Sequence, residues 1–207
     1  MLRTGILVSG GGTNLQAVID AIRDGIIKDT EISVVISDRA DAYALKRAED
    51  NGIERKTILQ KDYKDRTEYE EALSQALDKA GVQLIVLAGF MVVLSEFFVE
   101  RYAGRIINIH PSLIPSFCGK GCYGLKVHEK VLERGVKITG ATVHFVDSGT
   151  DTGPIIAQKA VEVKHGDTPE LLQKRVMEEA EWILLPRVID AIAHGRVRKE
   201  DKIAYII

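Results

Sequence analysis

Short apolar runs alternate with segments of helical period along the first half of this chain, and this alternation restricts its fold most. The runs "RTGILV", "EISVVIS" and "VQLIVLAG" precede predicted helices near 13–24, 41–51 and 95–102. The first runs are apolar throughout, which is typical of parallel strands covered by helices on both faces. The alternation of strands and helices predicts a doubly wound α/β fold with a mostly parallel sheet.

The pattern changes after "GRIINIHPSLIPSF". A helix near 124–134 precedes two strand-like segments, "KITGATVHFVD" and "GPIIAQKAVEV", which the turn-rich "DSGTDTG" joins into a predicted antiparallel pair. A long C-terminal helix is expected to begin at "GDTPELLQKRV", with Asp167 or Thr168 as its N-cap. Since no repeat, low-complexity tract or linker interrupts the chain, we expect one domain over 1–207.

Composition narrows the functional classes. The chain has 207 residues, 45% of them hydrophobic and 28% charged, which is enough to bury a full core. Its formal net charge of -2 does not attract nucleic acid or an anionic membrane, so we expect neither partner. With no apparent membrane span or targeting segment, and only two cysteines, the expected location is the cytoplasm.

A glycine-rich turn, "VSGGGTNLQA", lies between the first strand and helix. Leu15 stands where a dinucleotide-binding loop needs its third glycine, and the lysine of a triphosphate-binding P-loop is absent. What remains is a tight turn at a helix N-terminus, which suits a single phosphate group. The alternative is a turn without a ligand in which Thr13 is the N-cap.

A second motif, "NIHPSLIPSF", follows a predicted strand. Side chains two residues apart share a strand face, so Asn108 and His110 should project together at the C-terminal end, where open α/β sheets bind ligands. An amide donor beside an imidazole suits an oxyanion and a proton transfer. The later turn contains two carboxylates, Asp147 and Asp151. If one of them reaches His110, it should raise the pKa of the imidazole and orient the ring. A structural role remains the alternative for His110 and for the turn.

The remaining cysteine, histidine and tryptophan side chains do not indicate a further functional site. Cys118, Cys122 and His128 offer three ligands with poor spacing and no fourth, so we expect no metal. His144 lies between two apolar residues of a predicted strand and favours a structural role, and Trp182 favours helix packing.

Taken together, these motifs resemble the folate-dependent formyltransferases. The likeness runs from "VSGGGTNLQA" through "VLAGFM", "NIHPSLIPSF" and "TVHFVDSGTDTGPII" to "EEAEW". It implies a Rossmann-like formyltransferase fold with an antiparallel C-terminal part and a long C-terminal helix. The "SGGGTNL" segment is similar to the branch that acts on glycinamide ribonucleotide. The implied reaction moves a formyl group from 10-formyltetrahydrofolate, a co-substrate, to that amine in purine biosynthesis.

The resemblance also implies roles for individual residues. Its catalytic set is Asn108, His110 and Asp151. Its ribonucleotide contacts are Gly12, Thr13, Asn14 and Glu181. Its folate contacts are Arg66, Met91, Val92, Val93, Leu94, Asn108 and Asp147. Residues 1–105 would then form the half that binds the ribonucleotide phosphate, and residues 106–207 the catalytic and folate-binding half.

The chain departs from the family at three points. Many relatives have arginine at the position of Val92, the segment "CGKGCYGLKVHE" differs from the commoner version, and the spacing from Arg175 to Pro186 is one residue longer. The first departure removes a side-chain contact to folate but leaves backbone contacts.

Rival functions need features that are missing here. Methionyl-tRNA formyltransferase needs a nucleic-acid-binding domain, and an oxidoreductase needs the third glycine. A formyltetrahydrofolate deformylase would resemble this chain preceded by a regulatory domain, and a non-catalytic nucleotide-binding module would not need the three polar groups to converge. The partners expected are small molecules, with the chain a monomer or homodimer.

Overall fold

The computed structural model describes all 207 residues. The chain divides into two compact units, Met1–Ile107 and Asn108–Ile207. The expectation of one domain with halves meeting near residue 105 stays a prediction. No helix is both long and apolar enough to cross a bilayer.

Nine strands and seven α-helices make up the regular structure. The strands are β1 Leu2–Val8, β2 Thr30–Ser37, β3 Arg55–Thr57, β4 Leu84–Leu87, β5 Ile106–His110, β6 Ile138–Phe145, β7 Ile155–Glu162, β8 Val197–Glu200 and β9 Ile203–Ile206. The helices are α1 Thr13–Arg23, α2 Tyr43–Asp50, α3 Arg66–Lys79, α4 Glu96–Arg101, α5 Leu125–Arg134, α6 Pro169–Val176 and α7 Trp182–Ala193.

The first unit is built around parallel strands. β1 pairs with β2 on one side and with β4 on the other, and β2 pairs with β3, all in parallel. Ile6, Leu7 and Val8 are completely buried in β1, as expected for a central strand covered on both faces. The predicted apolar runs therefore form the core of the sheet.

The second unit contains the antiparallel part. β6 and β7 pair from Ile138↔Glu162 to His144↔Ile155, with a register shift after Val143. In the seven-stranded sheet the strand order is β3-β2-β1-β4-β5-β6-β7, and β8 and β9 form a separate hairpin. The predicted fold class, mostly parallel with an antiparallel C-terminal part, is confirmed. The predicted strands omitted β3 and the β8–β9 hairpin.

The predicted long C-terminal helix is present as α6 and α7. Thr168 is its N-cap, accepting from the Leu171 N–H at 3.3 Å, and Pro169 occupies the first turn. A π-helical turn, Met177–Glu181, separates α6 from α7. A π turn accommodates one additional residue within a helix and is frequent at functional sites. Asp167, the other candidate cap, instead pairs with Arg175 through two contacts of 2.6 Å.

We expect Gly140→Ala to destabilise the protein. A Cβ at Gly140 in β6 would overlap the carbonyl oxygen of Lys159 in β7 and lie 2.9 Å from the side chain of Leu113. Overpacking of this kind costs about 1–3 kcal/mol, which urea unfolding would measure. Gly10→Ala is the matched control, since its added methyl group meets nothing within 4 Å. Equal midpoints for both variants would contradict the close strand approach.

Candidate active site

The three predicted catalytic residues converge within the second unit. Asn108 and His110 share one face at the end of β5, and Asp151 comes from the β6–β7 connection. Asp151 Oδ2 lies 3.6 Å from His110 Nδ1, and its Oδ1 lies 3.4 Å from Asn108 Nδ2. His110 is 4% exposed. The period-two spacing of β5 and the position of the turn therefore bring an amide, an imidazole and a carboxylate together.

A backbone carbonyl fixes the ring of His110. Its Nε2 lies 3.0 Å from the Phe117 carbonyl oxygen. Since a carbonyl oxygen only accepts, Nε2 must have the hydrogen. The other nitrogen, Nδ1, then faces Asp151 and is the atom available for proton exchange.

The loop that supplies this carbonyl is pinned to β6 and β7. The Thr142 hydroxyl donates to the Ser112 carbonyl at 2.6 Å and accepts from the Ile114 N–H at 3.1 Å. The Gln158 amide donates to the Ile114 carbonyl at 2.9 Å, and the Ser112 hydroxyl donates to the Ser116 carbonyl at 2.6 Å. These bonds fix the loop in the path that returns Phe117 to His110.

Asp151 is ionised despite its partial burial. Burial by itself would raise the pKa of its carboxyl, but His144, His110 and the Gly119 N–H hold that pKa below its usual value. Gly119 donates to Oδ2 at 2.9 Å. The loop after β5 thus contacts both His110 and Asp151 through backbone groups.

The pKa of His110 is lowered, and burial is the main cause. The Phe117 carbonyl and Asp151 both act to raise it but do not compensate. Asp151 acts on the pKa of His110 in the expected direction, but the net pKa is lowered because desolvation outweighs the carboxylate. His110 is a neutral imidazole at neutral pH.

His144 belongs to this site, although its sequence position favoured only a structural role. Its Nδ1–H donates to the Phe145 carbonyl at 2.8 Å, which leaves Nε2 to accept from Asn108 Nδ2 at 3.1 Å. One hydrogen of the Asn108 amide is therefore held, and the second points toward Asp151. A lone histidine in an apolar strand gives no local signal for this contact.

In the first unit, the glycine turn is held by α2. Gly12 has a φ of 70° and is the N-cap residue of α1, which begins at Thr13. Ala44 N–H donates to the Gly10 carbonyl at 3.0 Å, and Arg47 Nε donates to the Gly11 carbonyl at 2.8 Å. Two hydrogen bonds from α2 thus hold the turn in place. Thr13 is the first helical residue and not the N-cap.

The predicted folate segment is tied to β1. The Met91 N–H donates to the buried Ser9 hydroxyl at 2.8 Å, and the Ser9 N–H donates to the Gly89 carbonyl at 3.1 Å. Met91, Val92 and Val93 line a cleft of about 570 Å³ together with Arg66. Leu94 is 9% exposed and does not line this cleft. Sequence reasoning gave no role to Ser9.

Arg66 lies at this cleft but is already engaged. Its Nε pairs with Glu70 at 3.0 Å, and its Nη2 donates to the Val93 carbonyl. The buried Glu70 carboxylate also accepts from the Ser95 N–H at 2.7 Å and from the Ser95 hydroxyl. This network fixes the end of the 91–94 segment.

The two remaining predicted residues occupy different settings. Asp147 accepts from the Gly149 N–H at 3.1 Å and from the Thr152 hydroxyl at 2.6 Å, so its carboxylate closes its own turn. Glu181 is 6% exposed at the end of the π-helical turn.

His128 is completely buried in α5, and neither ring nitrogen has a hydrogen-bond partner. Cys118 and Cys122 are free thiols, with the Lys130 ammonium 3.1 Å from the Cys122 sulfur. The structure contains no group of three or more histidine, cysteine or acidic side chains arranged to hold a metal ion.

Comparison with known proteins places this geometry in a family. The formyl transferase family model matches residues 2–189. The phosphoribosylglycinamide formyltransferase of Haemophilus influenzae is 39% identical over 100% of this chain and 94% of its own. The chain belongs to the phosphoribosylglycinamide formyltransferase family. This confirms the family expected from the motifs, while the roles of individual residues stay predictions.

A solved structure and a longer relative extend the likeness. Glycinamide ribonucleotide transformylase 1 from Symbiobacterium toebii has a TM-score of 0.93 and 44% identity, covering 100% of this chain and 94% of that one. The trifunctional purine biosynthetic protein adenosine-3 of Gallus gallus is 44% identical over 95% of this chain. The aligned region spans only 19% of the length of that protein.

We expect His128 to weaken the fold at mildly acidic pH. Burial lowers its pKa to about 4, whereas an unfolded histidine has a pKa of about 6.5. Between these values the unfolded state binds more protons, so stability is fully present above about pH 6.5 and decreases as the pH falls toward 4. At pH 5 the loss is about 2 kcal/mol relative to pH 8.

The measurement is urea unfolding at pH 5 and pH 8. His128→Leu should reduce the difference in unfolding free energy between the two pH values by about 2 kcal/mol. The exposed His165 provides the control, His165→Leu, which should leave that difference unchanged. A His128→Leu variant with the pH dependence of the original protein would refute the assignment.

Proposed function

We propose that this chain transfers the formyl group of 10-formyltetrahydrofolate to the amine of glycinamide ribonucleotide, yielding formylglycinamide ribonucleotide and tetrahydrofolate in purine biosynthesis. The convergence of Asn108, His110 and Asp151 is the observation that supports this best. An attack by an amine on a formyl carbon needs an oxyanion donor and a route for one proton, and these three groups supply both.

Asn108 acts as the oxyanion donor. As the amine adds to the formyl carbon, the carbonyl oxygen becomes negative. His144 holds one amide hydrogen of Asn108, and the second, at a long 3.4 Å contact with Asp151, can be redirected to the oxyanion. Such a donor lowers the barrier because it is oriented before the charge develops.

His110 and Asp151 move the proton. After attack, the nitrogen from the ribonucleotide has an excess proton, which neutral His110 accepts at Nδ1. Asp151 stabilises the imidazolium formed, because its carboxylate lies 3.6 Å from His110 Nδ1. The imidazolium then returns the proton to the departing folate nitrogen, so no net charge accumulates.

Four residues are assigned to the ribonucleotide. Gly12, Thr13 and Asn14 take its 5′-phosphate at the start of α1, where the helix dipole and backbone N–H groups favour an anion. Buried Glu181 accepts from the hydroxyl groups of the ribose. These assignments depend on the resemblance of each residue to the family pattern.

The folate is recognised mainly by backbone. Met91, Val92, Val93 and Leu94 are assigned main-chain contacts with the pteridine, and Arg66 lines the cleft together with the first three. Asn108 and Asp147 complete the predicted folate contacts. Val92 has no polar side-chain group, so its part in binding is limited to its N–H and carbonyl.

We expect the purified chain to formylate glycinamide ribonucleotide in an assay of folate absorbance. His110→Ala and Asp151→Asn should each lower kcat by about 10²–10³, because each removes part of the proton route. The rate should decrease with falling pH at a value below the ordinary histidine pKa, since the neutral imidazole is the base. His165→Ala, at an exposed position, is the control.

The acceptor distinguishes the rival activities. Formate release with water as the acceptor, and no ribonucleotide product, would favour a deformylase. Binding of either substrate without any turnover would favour a nucleotide-binding module. Either result would refute the proposed transferase.

Gly12→Val should weaken ribonucleotide binding and leave folate affinity nearly unchanged. Gly12 has a φ of 70°, and an added Cβ would lie 2.6 Å from the Ala44 Cβ, so the turn must shift. Isothermal titration with each substrate measures the two affinities. Gly10→Ala is the control, as its added methyl group meets nothing within 4 Å. Equal loss of both ligands would contradict this division of roles.

A further inference from the structure

Both cysteines of the chain lie in the loop that contacts His110 and Asp151. The peptide group before Cys118 accepts from His110 Nε2 at 3.0 Å through the Phe117 carbonyl. The peptide group after Cys118 donates to Asp151 Oδ2 at 2.9 Å through the Gly119 N–H. A movement of Cys118 therefore disturbs the contacts of both side chains.

A tight turn separates Cys118 from Cys122. The Cys122 N–H donates to the Gly119 carbonyl at 3.0 Å, and a turn of this kind brings its first and last Cα atoms within about 7 Å. Cys118 immediately precedes the turn, so the two cysteines lie at its opposite ends. Disulfide-linked cysteines usually have Cα atoms about 4.4–6.8 Å apart. A bond between them is thus within reach of a local movement of the turn.

The two sulfurs are free, half-buried thiols in different surroundings. The ammonium of Lys130 in α5 lies 3.1 Å from the Cys122 sulfur, where it counters the negative charge of a thiolate, the form that attacks disulfides. The Cys118 thiol instead donates to the Pro115 carbonyl at 3.3 Å. Burial raises the pKa of the Cys118 thiol, and Asp151 and Cys122 act in the same direction. Cys122 is therefore the sulfur that attacks first.

We propose that Cys118 and Cys122 are a reversible oxidation site, at which a low-molecular-weight disulfide inactivates the enzyme by joining the two sulfurs. The Cys122 thiolate attacks one sulfur of the reagent, breaks its S–S bond and forms a mixed disulfide, and one thiol is released. The Cys118 sulfur then attacks the Cys122 sulfur, and the second thiol leaves. Two protein thiols are oxidised, the reagent is reduced to two thiols, and the two protons end on these products.

The new bond changes the loop at the point where it contacts the site. It draws the Cys118 sulfur from the Pro115 carbonyl toward Cys122, and the two peptide groups beside Cys118 turn with it. The carbonyl then leaves His110 and the N–H leaves Asp151. The effect on formyl transfer rests on the proposed function, in which these two side chains move the proton. A displacement of about 1 Å can lower a rate by about 10²-fold.

The test treats the reduced, purified protein with oxidised glutathione. We expect the intact mass to fall by two hydrogen atoms, kcat to fall by about 10²-fold, and dithiothreitol to restore both. Hydrogen exchange at the Gly119 N–H should become faster in the oxidised protein, since its bond to Asp151 is lost. These two readouts follow the disulfide and the loop separately from the enzyme assay.

Three variants test the assigned order of attack. Cys118→Ser should stop at the mixed disulfide of Cys122 with glutathione, and Cys122→Ser should keep its activity in oxidised glutathione. Lys130→Gln should slow formation of the mixed disulfide, whereas Lys137→Gln, at an exposed position, should not. A mixed disulfide that forms on Cys118 as readily as on Cys122 would contradict the order.

Two thiols that stay free in oxidised glutathione would overturn the proposal. A disulfide that forms and speeds exchange at Gly119 in a protein without formyl transfer would refute the proposed function alone. Formyl transfer by the reduced protein that the disulfide leaves unchanged would refute this inference alone.

Discussion

The active site depends on the hydrogen bond from His110 Nε2 to the Phe117 carbonyl. It fixes which nitrogen has the hydrogen and turns Nδ1 toward Asp151. It also requires the chain after β5 to fold back within seven residues, which the bonds of Thr142 and Gln158 to that loop secure. The β6–β7 pair therefore does more than extend the sheet, because its side chains fix the loop that holds the ring of His110.

Burial also affects the pKa values of His110 and Asp151. Desolvation keeps His110 neutral, while the Gly119 N–H and nearby imidazoles keep Asp151 ionised. A neutral imidazole can accept a proton, and the neighbouring Asp151 carboxylate can then stabilise the imidazolium cation. An imidazolium present from the start could not accept the proton of the attacking amine. The lowered pKa of His110 thus fits its proposed role better than a raised one.

Patterns of neighbouring residues predicted those features of the fold that depend on local backbone geometry. Apolar runs predicted the buried strands, and the two-residue spacing of Asn108 and His110 predicted that their side chains share one face of β5. Asp151 required the family resemblance, since its partners are distant along the chain. His144, Ser9 and Glu70 were not predicted because each acts through a contact with another element. The strands β3 and β8 are short and rich in charged residues, so no apolar run indicated them.

Recognition of a ligand by the backbone requires a backbone that does not move, and Glu70 fixes one end of the segment 91–94 that we propose for folate. Its buried carboxylate binds the Ser95 N–H and the Arg66 guanidinium, which in turn binds the Val93 carbonyl. Ser9 fixes the other end at Met91. With both ends held, the main chain of the segment keeps its path whatever side chain stands at Val92.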